Sequence, residues 1–190
     1  ASSDTERKLD LILKQLKAIL SFPVNSGVCM KLVLLTMIKN EASVITRMLV
    51  SAVGIVDAII VVDTGSTDDT LDVIQNYSMS LQIPILVYHE PWKNFGHNRT
   101  RALRLGSEGV KNLGFDPSTT YLLSVDADQI VRVKPGFSKD RMAGLFLHTT
   151  IRSSTQEYSL PRIVRADTNF VFIGRTHEYL EVAEGRCLSD

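Results

Sequence analysis

The sequence predicts an α/β fold, an α/β/α sandwich with a mostly parallel central sheet and a mixed extension after it. Apolar runs of strand length alternate with amphipathic segments of helix length as far as about residue 128. The joints between them are short, which favours right-handed parallel crossovers. Each predicted strand of this region also ends in polar residues, as expected where a ligand binds at the edge of such a sheet.

Composition limits the classes of function. The 190 residues suit one domain, and the 21 basic and 21 acidic residues leave a formal net charge of zero, so nothing indicates a nucleic-acid partner. Cys29 and Cys187 fit no zinc-binding spacing, and two free thiols in a reducing compartment are favoured over a disulfide. No signal peptide or bilayer-spanning run is visible, so we expect a soluble, cytoplasmic protein.

We expect two parts in the chain, an N-terminal helix with its connection over residues 1–27 and a single domain over residues 28–190. Apolar residues repeat at helical spacing over 5–20, and Pro23 and Gly27 then break the pattern. A helix that packs on the domain is favoured over an oligomer contact, and the oligomeric state stays open.

The domain opens with a predicted parallel βαβ unit. "KLVLLTMI", from Lys31, is a continuous apolar run typical of a strand buried on both faces. "SVITRMLVSAVG" follows as a helix, with Ser43 as its predicted N-cap and Gly54 as its stop. "VDAIIVVD" is the second strand.

The alternation continues along the chain. "STDDTLDVIQNY" predicts a helix beginning near Thr67, with Asp68 and Asp69 in its first turn, and "IPILVYHE" predicts the third strand. "GHNRTRALRLGSEGVKNLG" predicts a third helix whose carboxyl half is broken by glycines. "TTYLLSVDAD" is the fourth strand, and "MAGLFLHTTI" and "EYSLPRIVRA" are predicted to pair with each other.

Polar residues follow every one of the first four strands. Because parallel strands end at the same edge of a sheet, these residues should face one ligand site. They are Lys39, Asn40 and Glu41 after the first strand, Asp63 to Ser66 after the second, His89 and Glu90 after the third, and Asp126 and Asp128 after the fourth.

Asp126 and Asp128 end a buried strand with two carboxylates. Two such charges about 5 Å apart repel by roughly 3 kcal/mol at an effective dielectric constant near 20. A hard divalent cation, Mn²⁺ or Mg²⁺, would turn this repulsion into attraction, and such ions often combine one or two carboxylates with substrate phosphates. Metal binding is therefore favoured over a solvated turn.

Asp63, in "VVDTGSTDDT", has two compatible interpretations. With Ser66 it would cap the following helix, while Gly65 permits the turn. It would also accept a hydrogen bond from a nucleobase or ribose.

Taken together, these segments resemble glycosyltransferase family 2, a nucleotide-sugar-dependent family with the Rossmann-like GT-A fold. "KNE", "VVDTGSTD" and "DAD" in this order carry the resemblance, and "GHNRTRAL" and "GRTHEYLEV" extend it over residues 30 to 182. The absence of a Q-x-x-R-W motif argues against a processive synthase. Because the chain ends soon after "HEYLEV", we expect an acceptor-binding region to be missing.

The resemblance implies a role for each matching residue in donor binding. Asp63 would contact the base, commonly uracil, and Asn40 and Glu41 would line the same pocket. Asn98 and Arg99 would lie close to the nucleotide. His97 precedes Asn98 where the family often has arginine.

The resemblance also implies a metal site and a base. Asp126 and Asp128 would hold the ribose, the diphosphate and a divalent metal, with Asp128 usually the direct ligand. His177 would be a further metal ligand, or else a histidine that packs beside the core. Glu178, which adjoins His177 in the sequence, is our first candidate for the catalytic base, and Glu181 and Asp167 are less favoured. A partnership of Glu178 with Arg162 or Arg175 is an alternative of equal weight.

We therefore predict a metal-dependent glycosyltransferase that uses a nucleotide-sugar donor, a UDP-sugar, and inverts the configuration of the transferred sugar. The acceptor could be a protein, a glycan or a lipid. A nucleotidyltransferase is an alternative, although "KNEASV" lacks the glycines of its phosphate loop. A catalytically inactive module that binds nucleotide-sugars is the second alternative.

Overall fold

The computed structural model describes residues 29–174 and 179–183. The predicted helix over 5–20, Cys187, His177 and Glu178 lie outside these residues. In the described part of the chain, no helix combines the length and the apolar character needed to cross a membrane.

A six-stranded sheet forms the centre of the fold, in the order β3-β2-β1-β4-β6-β5. The first four strands are parallel, and β6 is antiparallel to both β4 and β5. The predicted α/β fold with a mostly parallel sheet is therefore confirmed. The strands are β1 (Lys31–Ile38), β2 (Ala58–Asp63), β3 (Ile85–His89), β4 (Thr120–Ser124), β5 (Phe146–Arg152) and β6 (Glu157–Arg165).

Helices cover both faces of this sheet, because alternate residues of the buried strands point to opposite sides. On one face, Leu32 and Leu34 pack with Met48 of the first helix and Ile74 of the second. On the other face, Val33 and its neighbours pack with the third helix. The helices are α1 (Ile45–Ala52), α2 (Thr70–Leu81) and α3 (Phe95–Asn112).

Two helix starts differ from the prediction. Val44, not Ser43, is the N-cap of α1, and the carbonyl of Glu41 accepts hydrogen bonds from the first amides there. Helix α2 begins at Thr70 rather than near Thr67, because the Asn40 side chain, in the loop after β1, holds the amides of Thr67 and Asp68 in a turn. Asp68 lies in this turn and accepts a hydrogen bond from the Thr70 amide at 3.1 Å.

The predicted break in α3 is wrong, since the helix runs without interruption for 18 residues. Gly106 and Gly109 lie on its buried face. A Cβ atom at Gly106 would meet the Leu122 side chain at 2.9 Å, and one at Gly109 would meet Ile60 at 2.6 Å. Both glycines therefore let the helix approach the sheet closely.

A second sheet, which the sequence pattern did not predict, pairs β7 (Phe170–Ile173) with β8 (Tyr179–Val182). It lies on the α3 side of the fold. The Thr100 hydroxyl of α3 accepts a hydrogen bond from the Phe172 amide at 2.8 Å. This contact fixes β7 beside the start of α3.

Candidate nucleotide-binding site

The polar residues that follow the parallel strands meet at one edge of the sheet. Ile38 pairs with Asp63, and Asp63 pairs with His89, at the ends of three adjacent strands. The Thr64 amide donates to the Ile38 carbonyl, and the Glu90 amide donates to the Asp63 carbonyl, each at 2.9 Å. These backbone bonds continue the strand alignment into the loops that carry the predicted site residues.

Asn40 joins the loop after β1 to the turn after β2. Its φ of 57° lies in the left-handed region, which asparagine adopts more readily than most residues. The side-chain oxygen of Asn40 accepts a hydrogen bond from the backbone amide of Thr67 at 2.7 Å. The backbone amide of Asn40 donates to the Ser66 hydroxyl at 3.0 Å. The Glu41 amide donates to the Thr70 hydroxyl at 2.8 Å, so the two loops form one unit.

Asp63 is 4% exposed and holds the turn after β2. Its carboxylate accepts from the amides of Gly65, at 3.3 Å, and Ser66, at 3.0 Å, and lies 3.3 Å from Nδ1 of His89. Burial acts to raise the pKa of Asp63, but the hydrogen bonds from Ser66, His89 and Gly65 outweigh it and lower that pKa. The carboxylate is therefore ionised at neutral pH.

Asn98, near the start of α3, is fully buried. Its oxygen accepts from the amides of Lys93, at 2.8 Å, and Asn94, at 3.2 Å, and its nitrogen donates to the Pro91 carbonyl at 3.0 Å. In this arrangement Asn98 shapes the loop that leads into α3. Any effect of Asn98 on a nucleotide would pass through that loop.

Asp126 forms ion pairs with two arginines. Nη2 of Arg99, from α3, lies 3.1 Å from Oδ1, and Nη2 of Arg162, from β6, lies 3.1 Å from Oδ2. Arg99 and Asp126 also line a small cavity, together with Phe172 of β7. The three charged side chains, Arg99, Asp126 and Arg162, are called the arginine clamp below.

Asp128 has a different environment from Asp126. It is exposed, and its backbone carbonyl accepts from Arg47 at 3.1 Å. Burial, followed by the nearby carboxylates of Asp128 and Asp68, raises the pKa of Glu41. The carboxylates of Asp128 and Asp68 therefore lie close enough to Glu41 to repel it.

The carboxylate oxygens at this edge suit a hard dication that takes most of its ligands from water and phosphate. Residues 29–174 and 179–183 contain no group of three or more His, Cys, Asp or Glu side chains placed to hold an ion. Asp128 is exposed and lies near Glu41, whose pKa its carboxylate helps to raise. Both oxygens of Asp126 are already ion-paired, so Asp128 is better placed for direct coordination.

The sequence did not predict that Arg162 forms an ion pair with Asp126. It indicated Arg162 only as a possible partner of Glu178, because the pairing of β6 with β4 is a long-range feature that no local pattern reveals. The contacts of Ser66, Thr67 and Thr70 with the loop after β1 were also missed. Runs of serine, threonine and asparagine near helix starts are the signal that could have indicated them.

Solved structures similar to this chain include residues 1–349 of S. aureus TarS, at 24% identity and a TM-score of 0.39. That match covers 52% of this chain and 28% of TarS 1–349. Glucosyl-3-phosphoglycerate synthase from Mycobacterium tuberculosis in complex with UDP matches at 20% identity and a TM-score of 0.38, over 56% of this chain and 36% of the synthase. The chain thus spans well under half the length of these proteins.

A comparison with curated proteins gave no match. The family model described as "Glycosyl transferase family 2" matches residues 34–132, which is just over half of the 190 residues. The matched region contains the loop after β1, the turn after β2, the start of α3 and the acidic turn after β4. The chain therefore belongs to glycosyl transferase family 2, a family of glycosyltransferase enzymes.

Proposed function

We propose that this chain is the catalytic domain of a metal-dependent glycosyltransferase that transfers a sugar from a UDP-sugar to an acceptor with inversion. The observation that carries the proposal is the family match over residues 34–132, which spans the edge where the parallel strands end. Ligands of open α/β sheets bind at such an edge. The acceptor class, whether protein, glycan or lipid, stays open, and a cytoplasmic location stays a prediction.

Asp63 and the loop unit around it support a nucleoside pocket. The ionised carboxylate accepts from two backbone amides and approaches His89, and a carboxylate offers about four acceptor sites. A uracil N–H would reach Asp63 by taking the place of the His89 ring, whose side chain is largely exposed. Asn40 and Glu41 would line the same pocket from the other loop.

Asp128 would hold the divalent cation, Mn²⁺ or Mg²⁺. Bound there, the cation would act as a Lewis acid that lowers the cost of charge on the departing diphosphate. Asp126 and His177 stay predicted ligands, and the ion pairs of Asp126 favour a role beside the metal rather than on it. Asn98 would act by fixing the loop that leads into α3.

Glu178 is the proposed base, although it lies outside the described residues. It would take the proton of the acceptor hydroxyl, and the acceptor oxygen would bond to the anomeric carbon from the side opposite the leaving group. The bond between that carbon and the diphosphate oxygen would break, and the nucleoside diphosphate would leave. Attack from the opposite side inverts the configuration.

Incubation with a panel of nucleotide-sugars and Mn²⁺, followed by chromatography of the products, tests the proposal. We expect UDP to be released from a UDP-sugar, slowly with water as the acceptor, and release to stop with EDTA. Binding without release would favour an inactive nucleotide-sugar-binding module. Release of pyrophosphate from a nucleoside triphosphate and a sugar phosphate would favour a nucleotidyltransferase.

A further inference from the structure

Arg162 is a largely buried cation in the arginine clamp. Asp126 is the one ion-pair partner of Arg162 within residues 29–174 and 179–183, and its single negative charge is shared with Arg99. The side chain of Arg162 is only 13% exposed, so water compensates its charge poorly. Removing a guanidinium from water is costly, and an anion bound beside Asp126 would offset part of that cost.

The geometry leaves Arg162 able to bind that anion. Its guanidinium uses Nη2 for Asp126, while a guanidinium carries five N–H donors in a planar fork that suits phosphate oxygens. Asp126 holds the fork in place. Arg162 therefore keeps further N–H donors with which it can bind an anion in addition to Asp126.

The position of Arg162 in the sheet directs it to the ligand edge. Ile163 of β6 pairs with Leu123 of β4 in antiparallel register. Arg162 therefore lies one residue nearer the carboxyl end of β4, where the acidic turn begins. Arg99 reaches the same carboxylate from α3, so two guanidiniums converge there from different layers of the fold.

We propose that Arg162 binds the diphosphate of the nucleotide-sugar donor, with Asp126 as the counter-ion that it shares with Arg99. The inference rests on the proposed function for the identity of the ligand. It also gives β6, which lies outside the family match over 34–132, a direct part in donor binding. His97 points elsewhere, with Nε2 3.8 Å from Glu90, so it does not supply this charge.

Titration of the intact chain with UDP and with uridine tests this role. We expect Arg162→Gln to weaken UDP binding by about tenfold or more, the range for a lost hydrogen bond to a charged group. Uridine lacks the diphosphate, so its affinity, measured by ligand-observed NMR, should stay the same. Arg152→Gln is the matched control, because Arg152 forms an exposed ion pair with Glu157 on the same hairpin.

Equal UDP affinity in Arg162→Gln and Arg152→Gln would overturn the inference, and so would an equal loss of uridine and UDP binding. If Arg162→Gln does not fold, Arg162→Lys replaces it. Lysine keeps the charge without the planar fork, and a UDP-specific loss is again expected. UDP binding that depends on Arg162, without release of UDP from any UDP-sugar, would keep this inference and contradict the transferase.

Discussion

At the scale of single residues, Asp63 combines a structural task with the proposed contact to the base. Both tasks need the ionised form, because a protonated carboxyl accepts fewer hydrogen bonds. The pKa of Asp63 lies below its ordinary value of 3.8 because the donors from Ser66, His89 and Gly65 outweigh burial. The ionised Asp63 therefore stabilises the fold at pH values above 3.8. This contribution is lost as the pH falls through the lowered pKa of the folded state.

We predict that Asp63→Asn lowers the free energy of unfolding by about 1–3 kcal/mol at pH 7, because an amide group cannot satisfy both turn amides. The difference from the wild type should shrink as the pH falls below 3.8. Urea denaturation at several pH values measures both quantities.

Asp69→Asn is the control for this measurement. Asp69 is the exposed N-cap of α2, and its side chain makes no capping hydrogen bond. Its substitution should change stability little at any pH. A constant Asp63→Asn difference from pH 7 to pH 2.5 would contradict the assigned role.

We predict that Asp128 is a direct ligand of the divalent cation. We expect Asp128→Asn to weaken Mn²⁺ binding in the presence of UDP by at least about 100-fold, the upper end for residues that only support a metal ligand. Because Asp128 is exposed, the free energy of unfolding of the variant should lie within about 0.5 kcal/mol of the wild-type value. Calorimetric titration with Mn²⁺ gives the affinity.

Asp140→Asn serves as the control, since Asp140 is an exposed carboxylate beside Lys139, which binds Asp57 at the opposite edge of the sheet. It should leave Mn²⁺ affinity unchanged. Similar Mn²⁺ affinities for the two variants would rule out Asp128 as the ligand.

Among the site residues, the sequence could predict which side chains end the strands but not what they contact. Asn40 and Asp63 follow apolar runs, so their place at the edge is a local property. The burial of Asn98 and the ion pairs of Asp126 depend on elements far away in the chain. His177 and Glu178 lie outside the described residues, so their roles rest on the resemblance alone.

At the scale of elements, α3 shows why a local rule failed. Glycine lowers helix propensity, so several glycines in one segment predict a break. Here the missing Cβ atoms bring the helix close to the sheet and to β7, and the packing gained outweighs the lost propensity. At Gly96 an added Cβ would collide with the backbone carbonyl of Gly174.

We predict that Gly96→Ala lowers the free energy of unfolding by about 3 kcal/mol, near the upper end for overpacking, because backbone atoms cannot move aside easily. Gly109→Ala should cost less. Its Cβ would meet the flexible end of Ile60, and alanine regains about 1 kcal/mol of helix propensity.

Thermal and urea unfolding of both variants check this order. Gly54→Ala is the control, because a Cβ there would meet nothing within 4 Å. If Gly96→Ala were as stable as Gly54→Ala, the close approach of α3 to β7 would be wrong.

At the scale of the whole molecule, alternation of apolar runs and helical segments was enough to predict the parallel sheet. Each βαβ unit is local, and the handedness of its crossover leaves few alternatives. The β7–β8 pair could not be predicted in this way. Its strands are four residues long, and their pairing depends on contact with α3, which is distant in sequence.

The central claim is that the carboxyl edge of the sheet binds a nucleoside diphosphate together with a divalent cation. Calorimetric titration of the chain with UDP, with and without Mn²⁺, tests it most directly. The account predicts that UDP binds, that Mn²⁺ strengthens the binding, and that Asp128→Asn removes the effect of Mn²⁺. UDP binding that is absent, or that does not respond to Mn²⁺, would contradict it.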